Sequence, residues 1–145
     1  MKRFDFPLER VRRWRFEQLN LEELKLQQLF AERQALERAK VQIRAEIDRI
    51  GRDVLSKPSL ESGELQTLDS FRGFVRRKLQ ELANRQQQSE AKIVEQRQAV
   101  IEARRQFELL DRLRQTALTE WRSEANKEQE TLAAEMFLAK TIRNL

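Results

Sequence analysis

The chain lacks cysteine and histidine, and it has only three glycines and two prolines among its 145 residues. Without cysteine there is neither a disulfide nor thiolate chemistry, and without histidine the usual general base and imidazole ligand are missing. A Ser-His-Asp triad and the Glu-x-x-His pairs of di-iron bundles are therefore impossible. A glycine-rich phosphate loop is also absent. We expect a protein that is not an enzyme and has no catalytic, cofactor-binding or metal-binding residue.

Long apolar runs are absent as well. A transmembrane helix needs about 18 or more consecutive apolar residues, and no segment of this length occurs. The first ten residues have no apolar core after their bases, so we do not expect a signal peptide. Because the lack of cysteine fits a reducing compartment, the expected location is cytoplasmic.

What is abundant is charge, at 37% of residues, together with the helix formers Arg, Glu, Gln, Leu and Ala. The helix breakers Gly51, Pro58, Gly63 and Gly73 lie close together, and the remaining one, Pro7, lies near the start. This distribution predicts an all-α fold, a long two-helix antiparallel coiled-coil hairpin with a C-terminal helical overhang. We expect a single domain over residues 1–145, with helices at about 7–55 and 64–142 and a turn at about 56–63.

Both predicted helices have apolar residues at heptad spacing, the pattern of a left-handed coiled coil. In the first helix these positions are Leu19, Leu26, Leu29, Leu36, Ile43, Ile47, Ile50 and Val54. In the second they are Leu79, Leu82, Ile93, Val100, Ala103, Phe107, Leu110 and Trp121, with Arg114 at one of them. Polar residues interrupt both series, at Arg33 and Lys40 and at residues 84–90. We expect these interruptions to face each other and to loosen the packing there.

The two helices are unequal in length. A turn centred near residue 59 places Leu8 beside Leu110, and leaves the chain after about residue 115 without an intramolecular partner. That end is nevertheless amphipathic, with one stripe of apolar residues at Leu118, Trp121, Ala125, Leu132, Met136 and Ala139. An isolated amphipathic helix is marginal in water, so either another chain covers the stripe or the end frays.

The first 16 residues combine aromatic and basic side chains, Phe4, Phe6, Trp14 and Phe16 among Lys2, Arg3, Arg10, Arg12, Arg13 and Arg15. The aromatic residues either seal the open end of the coiled coil or serve as interface anchors, and both interpretations stay open. Trp14 and Leu8 cannot both face the seam with Phe16, so some aromatic surface is expected to remain exposed. Nucleic-acid binding is a weaker alternative, because acidic residues are abundant and no groove-reading module is visible; we expect no nucleic-acid partner.

A second apolar cluster follows the turn. Phe71, Phe74, Val75 and Leu79, hereafter the tip face, lie among Arg72, Arg76, Arg77 and Lys78. At helical spacing these residues form a broad apolar face that the first helix can cover only in part. The tip face is either a thickened end of the hairpin or a docking surface flanked by positive charge.

Three segments of the chain resemble the flagellar export protein FliJ family. They are the opening Phe4-Asp-Phe-Pro-Leu-Glu-Arg-Val, the tip face, and Leu109-Leu110-Asp-Arg-Leu-Arg before an acidic tail. The resemblance covers nearly the whole chain. It departs from the family's pattern at Leu79, which lies one residue from the expected aliphatic position, where Lys78 stands.

The resemblance implies a stalk-like component of flagellar type III protein export, resembling the central stalk of rotary ATPases. The implied partners are the flagellar export ATPase, the cytoplasmic domain of the export gate and export chaperones, at the cytoplasmic side of the cell membrane. The candidate ATPase-ring contacts are Phe4, Phe6, Leu8, Arg12, Arg13, Trp14, Trp121, Leu132 and Phe137. The candidate gate-docking residues are Phe71, Phe74, Val75 and Leu79. The alternative is a generic coiled-coil scaffold that dimerises through its overhang.

Overall fold

The computed structural model describes residues 2–59 and 61–145. It consists of two long helices packed against each other, α1 (Glu9–Leu55) and α2 (Ser62–Arg143), and the described residues contain no strand. The expected all-α fold is confirmed, and the helix boundaries differ from the predicted ones by at most two residues. Met1, and Leu60 in the predicted turn, lie outside the described residues.

The first backbone hydrogen bonds of the helices identify their N-cap residues. The Arg12 amide donates to the Leu8 carbonyl at 2.9 Å, and the Leu65 amide donates to the Glu61 carbonyl at 3.1 Å. Leu8 and Glu61 therefore occupy the N-cap positions. Neither residue is among the preferred capping types.

The described residues form two compact units, one from the chain up to Asn20 with Ile101–Leu145, and one from Leu21–Val100. In the first unit α1 and α2 run antiparallel, since Arg12 pairs with Asp111 and Phe16 packs on Phe107. In the second they also run antiparallel, since Arg33 pairs with Glu90 and Glu37 accepts a hydrogen bond from Gln86.

The core of the Leu21–Val100 unit is a narrow seam. Leu82, Ile93 and Val100 are buried, while the predicted α1 positions from Leu26 to Val54 are half-buried. The heptad prediction is therefore confirmed in this unit. The side-chain amide of Gln96 also lies here, and its hydrogen bond to Glu22, assisted by Lys25, holds the pKa of Glu22 below its ordinary value of 4.5 against the opposing effect of burial.

The polar interruptions of the two heptad series do face each other. Arg33 Nη1 lies 3.3 Å from Glu90 Oε1, and Gln86 Nε2 donates to Glu37 Oε2 at 2.9 Å. At the same height Ser89 is buried, and its hydroxyl has no hydrogen-bond partner among the described residues. A groove of about 400 Å³ runs beside it, but the depressions near the turn are larger, so the expectation that the polar interruptions loosen the packing most is not met.

Replacing Ser89 with alanine is expected to stabilise the protein by about 1 kcal/mol, because it removes a buried hydroxyl without a partner and introduces a better helix former. The measurement is the free energy of unfolding in urea, with Ser123→Ala, at an exposed position of the same helix, as the control for helix propensity. Equal effects at the two positions would contradict a specific burial penalty at Ser89.

The register in the first unit corrects the predicted extent of the overhang. Phe4 packs on Trp121, and Ala125 is buried, so the prediction that α2 lacks an intramolecular partner beyond about residue 115 is wrong. The reason lies before α1, where residues 2–6 are not helical. An extended segment rises about 3.3 Å per residue against 1.5 Å in a helix, so these residues cover a longer stretch of α2 than helical residues would. The uncovered end is residues 126–145, hereafter the overhang.

Candidate protein-docking surfaces

The N-terminal aromatic residues divide into a packed group and an exposed group. In the packed group, the rings of Phe4 and Trp121 meet edge to face at 6.0 Å, and the Trp121 indole N–H donates to the Lys2 carbonyl at 3.1 Å. Phe6 is buried. These three residues seal the open end of the coiled coil, because most of their apolar surface packs inside the first unit.

The exposed group is centred on Trp14, whose side chain is 49% exposed. The Arg15 guanidinium lies over its indole ring, 4.7 Å from the centroid, which favours one orientation of the ring. Phe16 packs on Phe107 at 5.2 Å between ring centroids but also keeps about half of its surface exposed. Leu8 is exposed as well. The expectation that aromatic surface remains accessible in this segment is confirmed.

A cluster of ion pairs holds the start of α1 against α2. Arg12 donates two hydrogen bonds to Asp111 Oδ1, at 3.1 and 3.0 Å, and its Nη1 lies 3.2 Å from Glu9. Glu9 also lies 3.4 Å from both Arg13 and Arg114. Arg12 is therefore a packing residue of α1, and the carboxylates offset part of the positive charge. This pairing does not favour nucleic-acid binding, which needs guanidinium groups free for phosphates.

The overhang carries the largest set of exposed apolar side chains in the first unit. Its exposed residues include Leu132, Met136, Phe137, Leu138 and Ile142. Successive helical residues are rotated by about 100°, so the apolar residues of segment 132–139 point in all directions around α2. A helix that is apolar all round is normally buried on all sides, whereas a helix with a single stripe packs on one partner. The expected single stripe is thus the weaker description of this segment.

The tip face divides in two. Phe71, Val75 and Leu79 are half-buried and line a groove of about 510 Å³ between α1 and α2, whereas Phe74 is 56% exposed and does not line it. The opposite wall of this groove comes from α1, with Ile47, Ile50 and Val54. The four residues grouped by the sequence therefore form two separate surfaces, one inside the helix pair and one outside.

No family model, curated protein or solved structure matches the chain. Residues 2–59 and 61–145 contain neither a cluster of three or more acidic side chains suited to a metal ion nor a helix apolar enough to cross a membrane.

Sequence reasoning missed Leu68, which lines the same groove one heptad before Val75. The signal was present, because extending the series Val75 and Leu82 back by seven residues reaches Leu68. It also missed the contribution of α1 to this site, since heptad residues of α1 were expected to be covered by α2.

Proposed function

We propose that this chain is a non-catalytic stalk and escort protein of the flagellar type III export apparatus. Its overhang enters the ring of the export ATPase, and its tip face docks on the cytoplasmic domain of the export gate, at the cytoplasmic side of the cell membrane. The observation that carries the proposal is the overhang, a helical end whose apolar side chains point in all directions and are not covered by any described residue. A ring interior surrounds an inserted helix on all sides, which matches this distribution.

The charge distribution supports the same proposal. The segment before and within the overhang is acidic, with Glu120, Glu124, Glu128, Glu130 and Glu135 exposed. An acidic approach to an apolar end gives electrostatic steering toward a basic partner surface, which raises association rates more than affinity.

The exposed indole of Trp14 lies in the same unit as the overhang. Tryptophan beside arginine is typical of interface anchors, so Trp14 is the proposed second contact with the ring. Phe4, Phe6 and Trp121 do not contact the ring themselves in this proposal. They hold the N-terminal segment against α2.

The test is the ATPase activity and ring assembly of the cognate export ATPase, measured with and without this protein. We expect the wild-type protein to increase both, and Trp14→Ala to weaken the interaction by about tenfold or more, the effect of losing an aromatic anchor. Leu24→Ala is the control, because Leu24 is equally exposed on α1 but lies in the other unit. Absence of any effect of the wild-type protein would exclude the proposed role.

A second candidate function is a coiled-coil scaffold that dimerises through the overhang, and the same uncovered apolar surface favours it. Sedimentation equilibrium at micromolar concentration distinguishes the two. A monomer excludes the scaffold, whereas a dimer that dissociates when Leu132 is replaced by glutamate supports it.

A further inference from the structure

We propose that the groove between α1 and α2 next to the turn, hereafter the tip groove, binds an amphipathic helix of a partner protein with acidic residues flanking its apolar stripe. The inference deepens the gate-docking part of the proposed function. It rests on that function only for the identity of the partner, since the groove, its depth and its charge are features of this chain.

The tip groove is a depression of about 510 Å³. Its apolar lining includes Ile50 and Val54 from α1 and Leu68 and Phe71 from α2. It therefore has one wall from each helix.

The helix pair does not fill this space by itself. No described residue between Val41 and Glu81 is buried, although the heptad series of both helices continue through this segment. A Cβ added at Gly51, which lines the groove, would have no atom within 4 Å. Protein interiors are normally close-packed, so an apolar seam left open over this length is incomplete without an additional element.

The dimensions of the groove suit a helix. Its α2 wall extends from Leu68 to Leu79, which is about 17 Å at 1.5 Å per residue, or about three turns. Insertion of an amphipathic helix into an apolar groove is a common mode of peptide recognition, with anchors at helical spacing. A third helix here would convert an open pair into a closed three-helix bundle.

The charge at the groove indicates which residues flank the apolar stripe of the bound helix. Arg72 and Arg76 line the groove one helical turn apart, and neither has an ion pair or hydrogen bond with a described residue. By contrast, the neighbouring depression of about 650 Å³ is lined by Glu61 and by Lys57, which is paired with Glu64 at 3.6 Å, so the unpaired positive charge of these two depressions is confined to the tip groove. Two unpaired arginines along one edge of an apolar groove favour carboxylates on the bound helix.

The experiment uses the full-length protein and a fluorescent synthetic peptide of about 18 residues, with leucines on one helical face and glutamates beside them. A second peptide has lysines in place of the glutamates. We expect the acidic peptide to bind with an affinity at least tenfold higher than the basic one, measured by fluorescence anisotropy. Equal binding of the two peptides, or no binding of the acidic one, would overturn the proposal.

Two matched pairs of variants locate the site. The double variant Arg72→Glu with Arg76→Glu should lower the affinity for the acidic peptide at least tenfold. The control is Arg77→Glu with Lys78→Glu, which makes the same charge change outside the groove and should lower the affinity far less. Phe71→Ala should weaken binding and Phe74→Ala should not, with helicity by circular dichroism retained in both. Equal effects within either pair would place the peptide elsewhere and contradict the assignment.

The outcome is separable from that of the proposed function. If the acidic peptide binds the tip groove but the export gate does not bind the protein, the groove assignment stands and the gate role is excluded. If instead the protein alone sediments as a dimer that Arg72→Glu with Arg76→Glu dissociates, a second copy occupies the groove, and the proposed partner helix is wrong.

Discussion

Replacing Leu132 and Phe137 together with glutamate is expected to lower the affinity for the export ATPase by at least about 100-fold without changing the stability of the isolated protein. The two side chains are 59% and 70% exposed, so the free protein loses little when they become charged. In the proposed complex they are buried in the ring, where a charge without a partner costs several kcal/mol in addition to the lost apolar contact. The measurement is binding of the double variant to the ATPase, together with its urea unfolding curve.

The matched control for this variant is Asn126→Glu with Gln129→Glu, which adds the same charge to the overhang without removing an apolar side chain. We expect a much smaller loss of affinity for this control. A similar loss in both variants would show that net charge, rather than apolar burial, governs the interaction. Unchanged binding of the Leu132 and Phe137 variant would remove the overhang from the interface.

Replacing Ile93 with alanine is expected to lower the free energy of unfolding by about 2–5 kcal/mol, the range for truncating a buried aliphatic residue. Ile93 is the most deeply buried large side chain among the described residues, at 1% exposed. Few other buried residues surround Ile93 in the seam, so the cavity left by Ile93→Ala is not part of a thick core. Urea unfolding followed by circular dichroism measures the change.

Val94 provides the control, since it is the next residue of the same helix and is 60% exposed. Val94→Ala should change stability by no more than about 0.5 kcal/mol, because exposed positions away from special contacts rarely contribute more. Comparable losses at both positions would mean that residues 93 and 94 are equally solvated and that the described seam is not the one present in solution.

The fold was predictable from the sequence because its determinants are local. Clustered breakers between Gly51 and Gly73 located the turn, and the heptad series identified the buried side of each helix. A helix pair has one seam, so the periodicity of each helix nearly determines which residues meet. This is why Leu82, Ile93 and Val100 were correctly placed in the core.

The candidate sites were less predictable because they depend on how the N-terminal segment is aligned with α2 and on where apolar residues stay uncovered. The position of Phe4 against Trp121 depends on a non-helical segment that covers α2 at a greater rise per residue than a helix, and no periodicity reports this. The tip groove depends on apolar residues that are correctly spaced but not covered. Heptad spacing predicts that Ile50 and Phe71 face the same seam, but it cannot indicate that the seam stays open between them.

Residues 126–143 form an exposed helical end that the proposed function buries in a partner, and amide hydrogen exchange reports on this segment. In the isolated protein the amides of this segment are expected to exchange much faster than those around Ile93, because a helix without tertiary contacts opens readily. With the export ATPase present, their exchange should slow by at least about tenfold while the amides around Ile93 change little. Full protection of the overhang in the isolated monomer, or no change on adding the ATPase, would exclude the overhang as a surface that the ATPase covers.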